Sequence, residues 1–270
     1  MNVDEVSHVK YLDVKINNVD YHDILSTAKR LLMNHQRGYF CLTDVGNVIS
    51  STTDGQLKSA INESTLSIAD GMPLAWYAQL VGCKKIERIS GVTLMKKMLA
   101  ENDRYKHFLL GDTEHTQNKV IHEARKINQQ IAISGHSPPF RDFSDADNNQ
   151  IMQKIRDADP DIIWVCFGGG KQEKWMQKNI NHLEKGIMFG VGSAFRWLTD
   201  DIKPPPEIFQ KMGLQWLFRM AQGIAKNPKN GFNFLLQRQI KKFPVFIANF
   251  PFEVIKCRKK IRSVSKTKVI

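Results

Sequence analysis

The sequence predicts an α/β fold, a mainly parallel sheet with helices on both faces, followed by a basic helical appendage. Three observations carry that prediction. Strand-like and helix-like patterns alternate from the N-terminal region to about residue 200, as in successive βαβ units. The run IIWVCF, Ile162 to Phe167, is apolar at every position, which is how a strand reads when helices cover both its faces. Gly168, Gly169 and Gly170 follow it directly, and Lys171, Gln172, Glu173 and Lys174 then open a helical pattern. Open α/β sheets bind ligands at the carboxyl ends of their strands. Glycines there permit close backbone approach, the N–H groups at the start of the next helix favour an anion, and Lys171 adds a positive charge. A phosphate or a nucleotide is the ligand class that this turn fits.

The other elements follow in order. Residues 8–18 (HVKYLDVKINN) alternate as a strand, Asp23 to His35 has helical spacing, and Tyr39 to Thr43 reads as a short strand. One helix is predicted over 46–61, then a strand over Leu66 to Ala69. Pro73 suits the first turn of a helix that LAWYAQLVG continues. Ser90 or Gly91 starts the helix VTLMKKMLAEN. A strand over His107 to Leu110 runs into Gly111-Asp112, a helix covers Thr116 to Gln129, and a strand over Ile131 to Gly135 runs into SPPF. Helices over Asp145 to Asp157 and Lys171 to His182 flank the all-apolar strand, and Gly186 to Val191 is the last strand. Lys203 and the three prolines after it stiffen the chain and mark a boundary, giving an α/β domain over 1–202 and an appendage over 203–270. Two apolar stripes at helical spacing, 208–224 and 232–243, follow. The segment FPVFIANFPF is too short to cross a bilayer as a helix and suits an interfacial position.

Charge divides the chain at the same boundary. The 270 residues carry a net +12, and from Lys203 onward there are 15 Lys/Arg against 2 Asp/Glu, leaving 24 against 25 in the α/β part. A neutral body with so cationic a tail points to a polyanionic partner such as an anionic membrane face. The aromatic residues of the tail lie in apolar blocks rather than between its basic residues, which argues against a single-stranded nucleic-acid groove. No charged segment with an apolar core and a small-residue cleavage site opens the sequence, and Cys41, Cys83, Cys166 and Cys257 are scattered with no CxxC pair. The expectation is a reduced, cytoplasmic setting and no metal site.

The candidate chemical groups gather after predicted strands. Asp70, in IADGMPLAW, can take a proton from a hydroxyl nucleophile; the competing reading is a helix N-cap. Thr43 can bond a sugar or phosphate, or cap the following helix. Gly111 and Asp112 suit close nucleotide approach, or an ordinary βα turn. Phe140, in the rigid loop after Pro138 and Pro139, can stack on a base or pack on the core. Gly190, Gly192 and Phe195 form G-x-G-x-x-F, which lacks the third glycine of a dinucleotide fingerprint, so a nicotinamide enzyme is disfavoured.

The segments TDVGNV, ADGMPLAW, IERISGVTLM, FLLGDTEHT, FGGGKQEKWM, GVGSAF and GLQWLFRM, in this order, resemble the WecG/TagA/CpsF family of bacterial glycosyltransferases, glycosyltransferase family 26, over roughly residues 10–245. The resemblance implies a Rossmann-like fold of the GT-E type. It implies an inverting transferase that needs no metal or other cofactor and moves a sugar from a UDP-sugar to an undecaprenyl-diphosphate-linked sugar. Such an enzyme works peripherally on the inner face of the cell membrane in cell-surface polysaccharide synthesis. It makes Asp70 the base, Thr43 its companion in catalysis, and Arg88 a diphosphate ligand. It places Lys171, Gln172 and Glu173 at the nucleotide or donor sugar, where the reading of the strand ends adds Gly111, Asp112, Phe140, Gly168, Gly169, Gly192 and Phe195. Arg219 and Arg238, with Lys241 and Lys242, are matched to the acceptor diphosphate and membrane. The chain departs from the family in reading Thr43-Asp44-Val45 at the first motif, closer to the exopolysaccharide-type members, so a hexose is a donor candidate beside an N-acetylhexosamine. It also departs at Arg196, where many members have Asp. The alternative function is a non-catalytic nucleotide- or membrane-binding module. The apolar faces of the appendage could also meet a second copy of the chain, so a homo-oligomer is a further expectation.

Overall fold

The computed structural model describes residues 6–101, 104–203, 206, 209, 218 and 242–267, with the side chains of 261–267 outside that description. The chain opens with a hairpin, β1 (His8–Tyr11) and β2 (Val14–Asn17), which forms its own two-stranded sheet. Leu12 and Asp13 join the strands at φ 48° and 64°, the backbone of a tight two-residue hairpin turn. The single strand predicted over 8–18 is therefore two, and the apolar phase shifts by one position at Tyr11-Leu12, where the chain reverses.

After α1 (Tyr21–Met33), the chain enters the main sheet through β3 (Arg37–Thr43), α2 (Val45–Ser50), α3 (Gly55–Asn62) and β4 (Leu66–Ala69). The helix predicted over 46–61 is broken, since Asp54 caps α3 by accepting from the Leu57 N–H at 2.9 Å. Next come α4 (Met72–Leu80), α5 (Gly91–Glu101), β5 (His107–Gly111), α6 (Glu114–Ile127) and β6 (Ile133–His136). The body ends with α7 (Asp145–Ala158), β7 (Ile162–Cys166), α8 (Lys171–Asn179), β8 (Gly186–Gly190) and α9 (Ala194–Leu198). The remaining elements predicted over 1–202 hold, with shifts at their ends.

The six strands are all parallel, in the order β4-β3-β8-β7-β5-β6. Helices cover both faces, as the apolar strands require. One face buries Phe40, Leu109, Trp164 and Phe189 against α1, α5, α6 and α9. The other buries Cys41, Leu110, Val165 and Met188 against α7 and α8. Trp164, Phe189 and Phe40 stack in a row through the first layer, with centroids 5.0 and 4.4 Å apart.

Beyond the body, α10 (Phe243–Thr267) contains the apolar segment FPVFIANFPF and carries Pro251 inside it. It packs back on the hairpin and α4. Phe246 is buried and stacks on Tyr11 at 4.6 Å, and Tyr77 meets Phe250 and Tyr11 edge-on. Tyr11 also donates its hydroxyl to the Phe246 carbonyl. The part of the tail that is described is thus joined to the 1–202 core by a shared aromatic cluster. The stripes predicted over 208–224 and 232–243 fall almost wholly outside the described residues.

Candidate active site

Ligand sites of open α/β sheets lie where neighbouring strands send their following helices to opposite faces. Here β5 leads to α6 on one face and its neighbour β7 leads to α8 on the other; β8 and β7 diverge in the same way. A cavity of about 350 Å³ opens at the β5–β7 divergence, lined by Gly111, Asp112, Cys166, Phe167, Lys171 and the loop from Pro138 to Phe143. A larger, shallower depression of about 820 Å³ lies at the opposite edge of the sheet around Arg37. There Arg37 Nη1 donates to the Asn181 and Leu183 carbonyls.

Asp70 follows β4, and its N–H donates to the Thr43 carbonyl at 2.8 Å. It is not a cap: α4 starts after Gly71, at φ 108°, with no side chain capping it. The Ile89 N–H donates to the Ala69 carbonyl at 3.1 Å, which brings the Glu87–Ser90 loop, and Arg88 with it, alongside Asp70. Ser90 donates from its N–H to the Tyr21 hydroxyl at 3.0 Å, anchoring that loop to α1. Thr43 does not face the crevice. It is fully buried and its hydroxyl shares a 2.9 Å hydrogen bond with Ser67, while Asp44 caps α2. Thr43 therefore meets Asp70 through its backbone, and its hydroxyl is turned to Ser67.

The KQE segment divides in two. Lys171 is half-buried and leans over the Phe143 ring at 4.0 Å, bonding the Arg141 carbonyl and lying 3.7 Å from Asp142. Gln172 and Glu173 point inward instead. Gln172 accepts from the Gly192 N–H at 3.1 Å and donates to Glu173 at 3.0 Å. Glu173 accepts from the Gly170 N–H at 2.6 Å and from Asn47 at 3.1 Å. Burial pushes the Glu173 carboxyl up to about 7, against the opposing pull of those donors. These two residues tie the glycine turn, α2 and the Gly192 turn together and position the crevice from beneath, in place of the direct ligand role predicted for them.

Gly168 and Gly192 adopt φ 88° and 57°, and among the described residues an added Cβ at either would meet nothing within 4 Å, so both present open backbone to the crevice. Gly169 is exposed beside them. Gly111 is different: a Cβ would lie 2.5 Å from the Cys166 carbonyl, so close packing of β5 on β7 requires the glycine. Phe140 is 96% exposed at the cavity mouth, as a stacking residue would be. Phe195, predicted at the nucleotide, is fully buried in the core because α9 turns it under the sheet edge.

A sequence model of the Glycosyl transferase WecG/TagA/CpsF family matches residues 9–259. The chain belongs to this family. Among its curated relatives is an N-acetylglucosaminyldiphosphoundecaprenol N-acetyl-beta-D-mannosaminyltransferase of Staphylococcus aureus strain MW2, 25% identical over 269 residues, 97% of this chain and 99% of the relative. Proteins of the same name from strains NCTC 8325 / PS 47 and MRSA252 are 25% and 24% identical over the same shares. As a member of the WecG/TagA/CpsF family, the chain is a glycosyltransferase.

Of the appendage residues that the resemblance assigns, Arg219, Arg238 and Lys241 lie outside the described residues. Lys242 donates to the Ser50 hydroxyl at 2.6 Å, which pins α10 to α2. Among the described residues, one group could offer several metal-ligand atoms, Asp20, His22 and Asp23 at the start of α1. Its carboxylates already have roles: Asp20 caps α1, and Asp23 pairs with Lys85 at 3.4 Å. The site residue that sequence reasoning did not place is Arg196, which grips Asp112 through two hydrogen bonds of 2.8 and 3.1 Å. The only signal in the sequence was its departure from the family's usual acidic residue.

Proposed function

We propose that this glycosyltransferase moves a hexose or N-acetylhexosamine from a UDP-sugar to a sugar carried on undecaprenyl diphosphate, with inversion and without a metal. The observation that carries the reading is the placement of Asp70 and the β5–β7 cavity along one edge of one sheet. Three to four strand spacings separate them, about 14–19 Å, a span that an extended nucleotide-diphosphate sugar can cover. The nucleoside occupies the cavity, the diphosphate crosses the open glycines Gly168 and Gly192, and the sugar lies before Asp70 and Arg88.

The reaction needs a single displacement. An acceptor hydroxyl attacks the anomeric carbon, its proton passes to the Asp70 carboxylate, and the carbon–oxygen bond to UDP breaks on the opposite side. Charge then grows on the leaving diphosphate. Arg88, Lys171 and the backbone of the glycine turn stabilise it from fixed positions. The relatives are named for a lipid-diphosphate acceptor, N-acetylglucosaminyldiphosphoundecaprenol, and for N-acetylmannosamine as the transferred sugar. At 25% identity the acceptor class carries over more readily than the donor sugar.

A lipid-borne acceptor fits a peripheral position on the inner membrane face. The outward side of α10 exposes Val245, Ile247, Phe252 and Ile255, next to Trp76 and Leu80 of α4. Lys256, Arg258, Lys259 and Lys260 follow along the same helix. Apolar side chains in the interface with basic ones near the headgroups suit an anionic leaflet, at about 1 kcal/mol for each basic residue at the surface. No helix among the described residues is long and apolar enough to cross a membrane.

The test is UDP release from a panel of UDP-sugars with a short-chain lipid-diphosphate sugar acceptor and EDTA present. Acceptor-dependent release that falls roughly 10²- to 10⁴-fold in Asp70→Asn supports the transferase, the metal-free reaction and Asp70 as base. Equal release by both proteins removes Asp70 from that role. Release that EDTA abolishes and a divalent ion restores overturns the metal-free mechanism.

A further inference from the structure

Asp112 has no part in the displacement, yet it lines the cavity, and Arg196 holds it. Asp112 lies immediately after β5, at φ 55°, with its side chain only 4% exposed. Three donors fix its carboxylate. Arg196 Nε gives 2.8 Å to Oδ2, Arg196 Nη2 gives 3.1 Å to Oδ1, and the Thr113 N–H gives 2.8 Å to Oδ1. The surrounding chain is fixed as well. The Asp112 carbonyl accepts from Ser137 at 2.6 Å, and Gln117 donates to the Gly111 and His136 carbonyls at 2.7 and 2.8 Å, locking the ends of β5 and β6 together.

We propose that the Asp112 carboxylate receives the ribose hydroxyls of the donor nucleotide and that Arg196 is the positioning residue that aims it. This rests on the sugar-nucleotide reading above and gives one part of that ligand a specific partner. An ionised carboxylate only accepts hydrogen bonds, so within its reach it selects a ligand group rich in donors. Ribose has two adjacent hydroxyls, whereas a uracil ring offers a single N–H. The lining of the cavity agrees. Phe140, Phe143 and two prolines offer apolar surface suited to the faces of a base, and Asp112 and Lys171 line the same cavity, a carboxylate for hydroxyls and a cation for a phosphate. Among the described residues, Oδ2 accepts from Arg196 alone, which leaves it a lone pair for a hydroxyl. The clamp also answers the usual cost of such recognition. A carboxylate whose rotamer is already set loses little freedom when the ligand arrives, which raises the return from each hydrogen bond.

Calorimetric titration of the full chain with UDP, UMP, 2′-deoxy-UDP and 3′-deoxy-UDP tests this. The unaltered protein is expected to bind at least one deoxy analogue about tenfold or more weaker than UDP. In Asp112→Asn and in Arg196→Met that preference shrinks to about twofold or less, while the UDP-over-UMP preference stays unchanged. A UDP-over-UMP preference that collapses in Arg196→Met would overturn the proposal and make Arg196 a diphosphate ligand. Equal binding of UDP and both deoxy analogues by the unaltered protein would overturn it with no variant needed, which keeps the test decisive if a variant fails to fold. Absence of any UDP binding is a different result, and it removes the sugar-nucleotide reading itself.

Discussion

The two edges of the parallel sheet are built from similar residues and do opposite things. Both carry glycines and charged side chains at strand ends. At the N-terminal edge these groups are packed against the chain. A Cβ on Gly186 would lie 2.9 Å from the Pro160 carbonyl, and one on Gly38 would lie 2.7 Å from the Thr65 hydroxyl. Lys185 lies 3.1 and 3.3 Å from Asp159 and Asp161, and buried His107 accepts from the Trp164 indole at 3.1 Å. At the C-terminal edge, Gly168 and Gly192 look into open space, Phe140 stands exposed, and Asp70 follows its strand without capping a helix. Glycine and charge therefore mark a site only where the tertiary structure leaves room in front of them.

The largest expected contrast between the edges is catalytic. Asp70→Asn should lower transfer by roughly 10²- to 10⁴-fold with little change in thermal unfolding, whereas an alteration at the N-terminal edge should act on stability alone. A comparable loss of transfer from Arg37→Ala, in a protein that still unfolds at the normal temperature, would break the division.

Next is a matched pair of glycine substitutions. Gly186→Ala must adopt φ 94° and also displace the Pro160 carbonyl, and should cost about 3 kcal/mol or more in chemical denaturation. Gly168→Ala meets the positive φ but no atom, and should cost roughly 1 kcal/mol while weakening UDP binding. Similar costs at both positions would show that the two edges are packed alike.

The edges also titrate with opposite sign. His107 is held neutral by burial, its value lowered to about 4. The unfolded chain binds more protons between there and the ordinary value near 6.5, so this contribution is complete above that range and lost as pH falls through it. Glu173 is raised to about 7 by burial. The folded chain holds the extra proton here, so its contribution is complete below the ordinary value near 4.5 and lost as pH rises towards 7. Unfolding free energy measured against pH should gain slope in one direction for His107→Gln and in the other for Glu173→Gln. Each slope is bounded by one proton, about 1.4 kcal/mol per pH unit. Same-signed changes would refute the assignment. The smallest effect sharpens the contrast: Arg37→Ala should cost about 1 kcal/mol through its two carbonyl bonds and leave UDP affinity unaltered.

Legibility in the sequence followed the range of the interaction. From its motif Asp70 read somewhat more readily as a cap than as a base, because strand, glycine and proline describe the turn without showing who caps α4. Thr43, Gln172, Glu173 and Phe195 were all assigned to the ligand through their motifs, yet each turns inward. Their partners, Ser67, Gly192, Asn47 and the core, come from other segments. The Arg196–Asp112 clamp joins positions 84 residues apart, and neither periodicity nor spacing connects them. The hairpin turn at Leu12-Asp13 left one trace in the sequence, the apolar pair Tyr11-Leu12 that shifts the alternation by one position, and the single-strand reading ran across it.

By itself the sequence determined the alternating α/β elements, the apolar strands that need two covering layers, the basic tail, and the family. These are local or compositional properties, written in the period of apolar residues and in contiguous motifs. Only the tertiary structure decided the strand order, the divergence of β5 and β7 that opens the cavity, and which motif residues face it. Those outcomes depend on pairing between distant strands and on which side of each strand end is left unfilled, and no single segment encodes them.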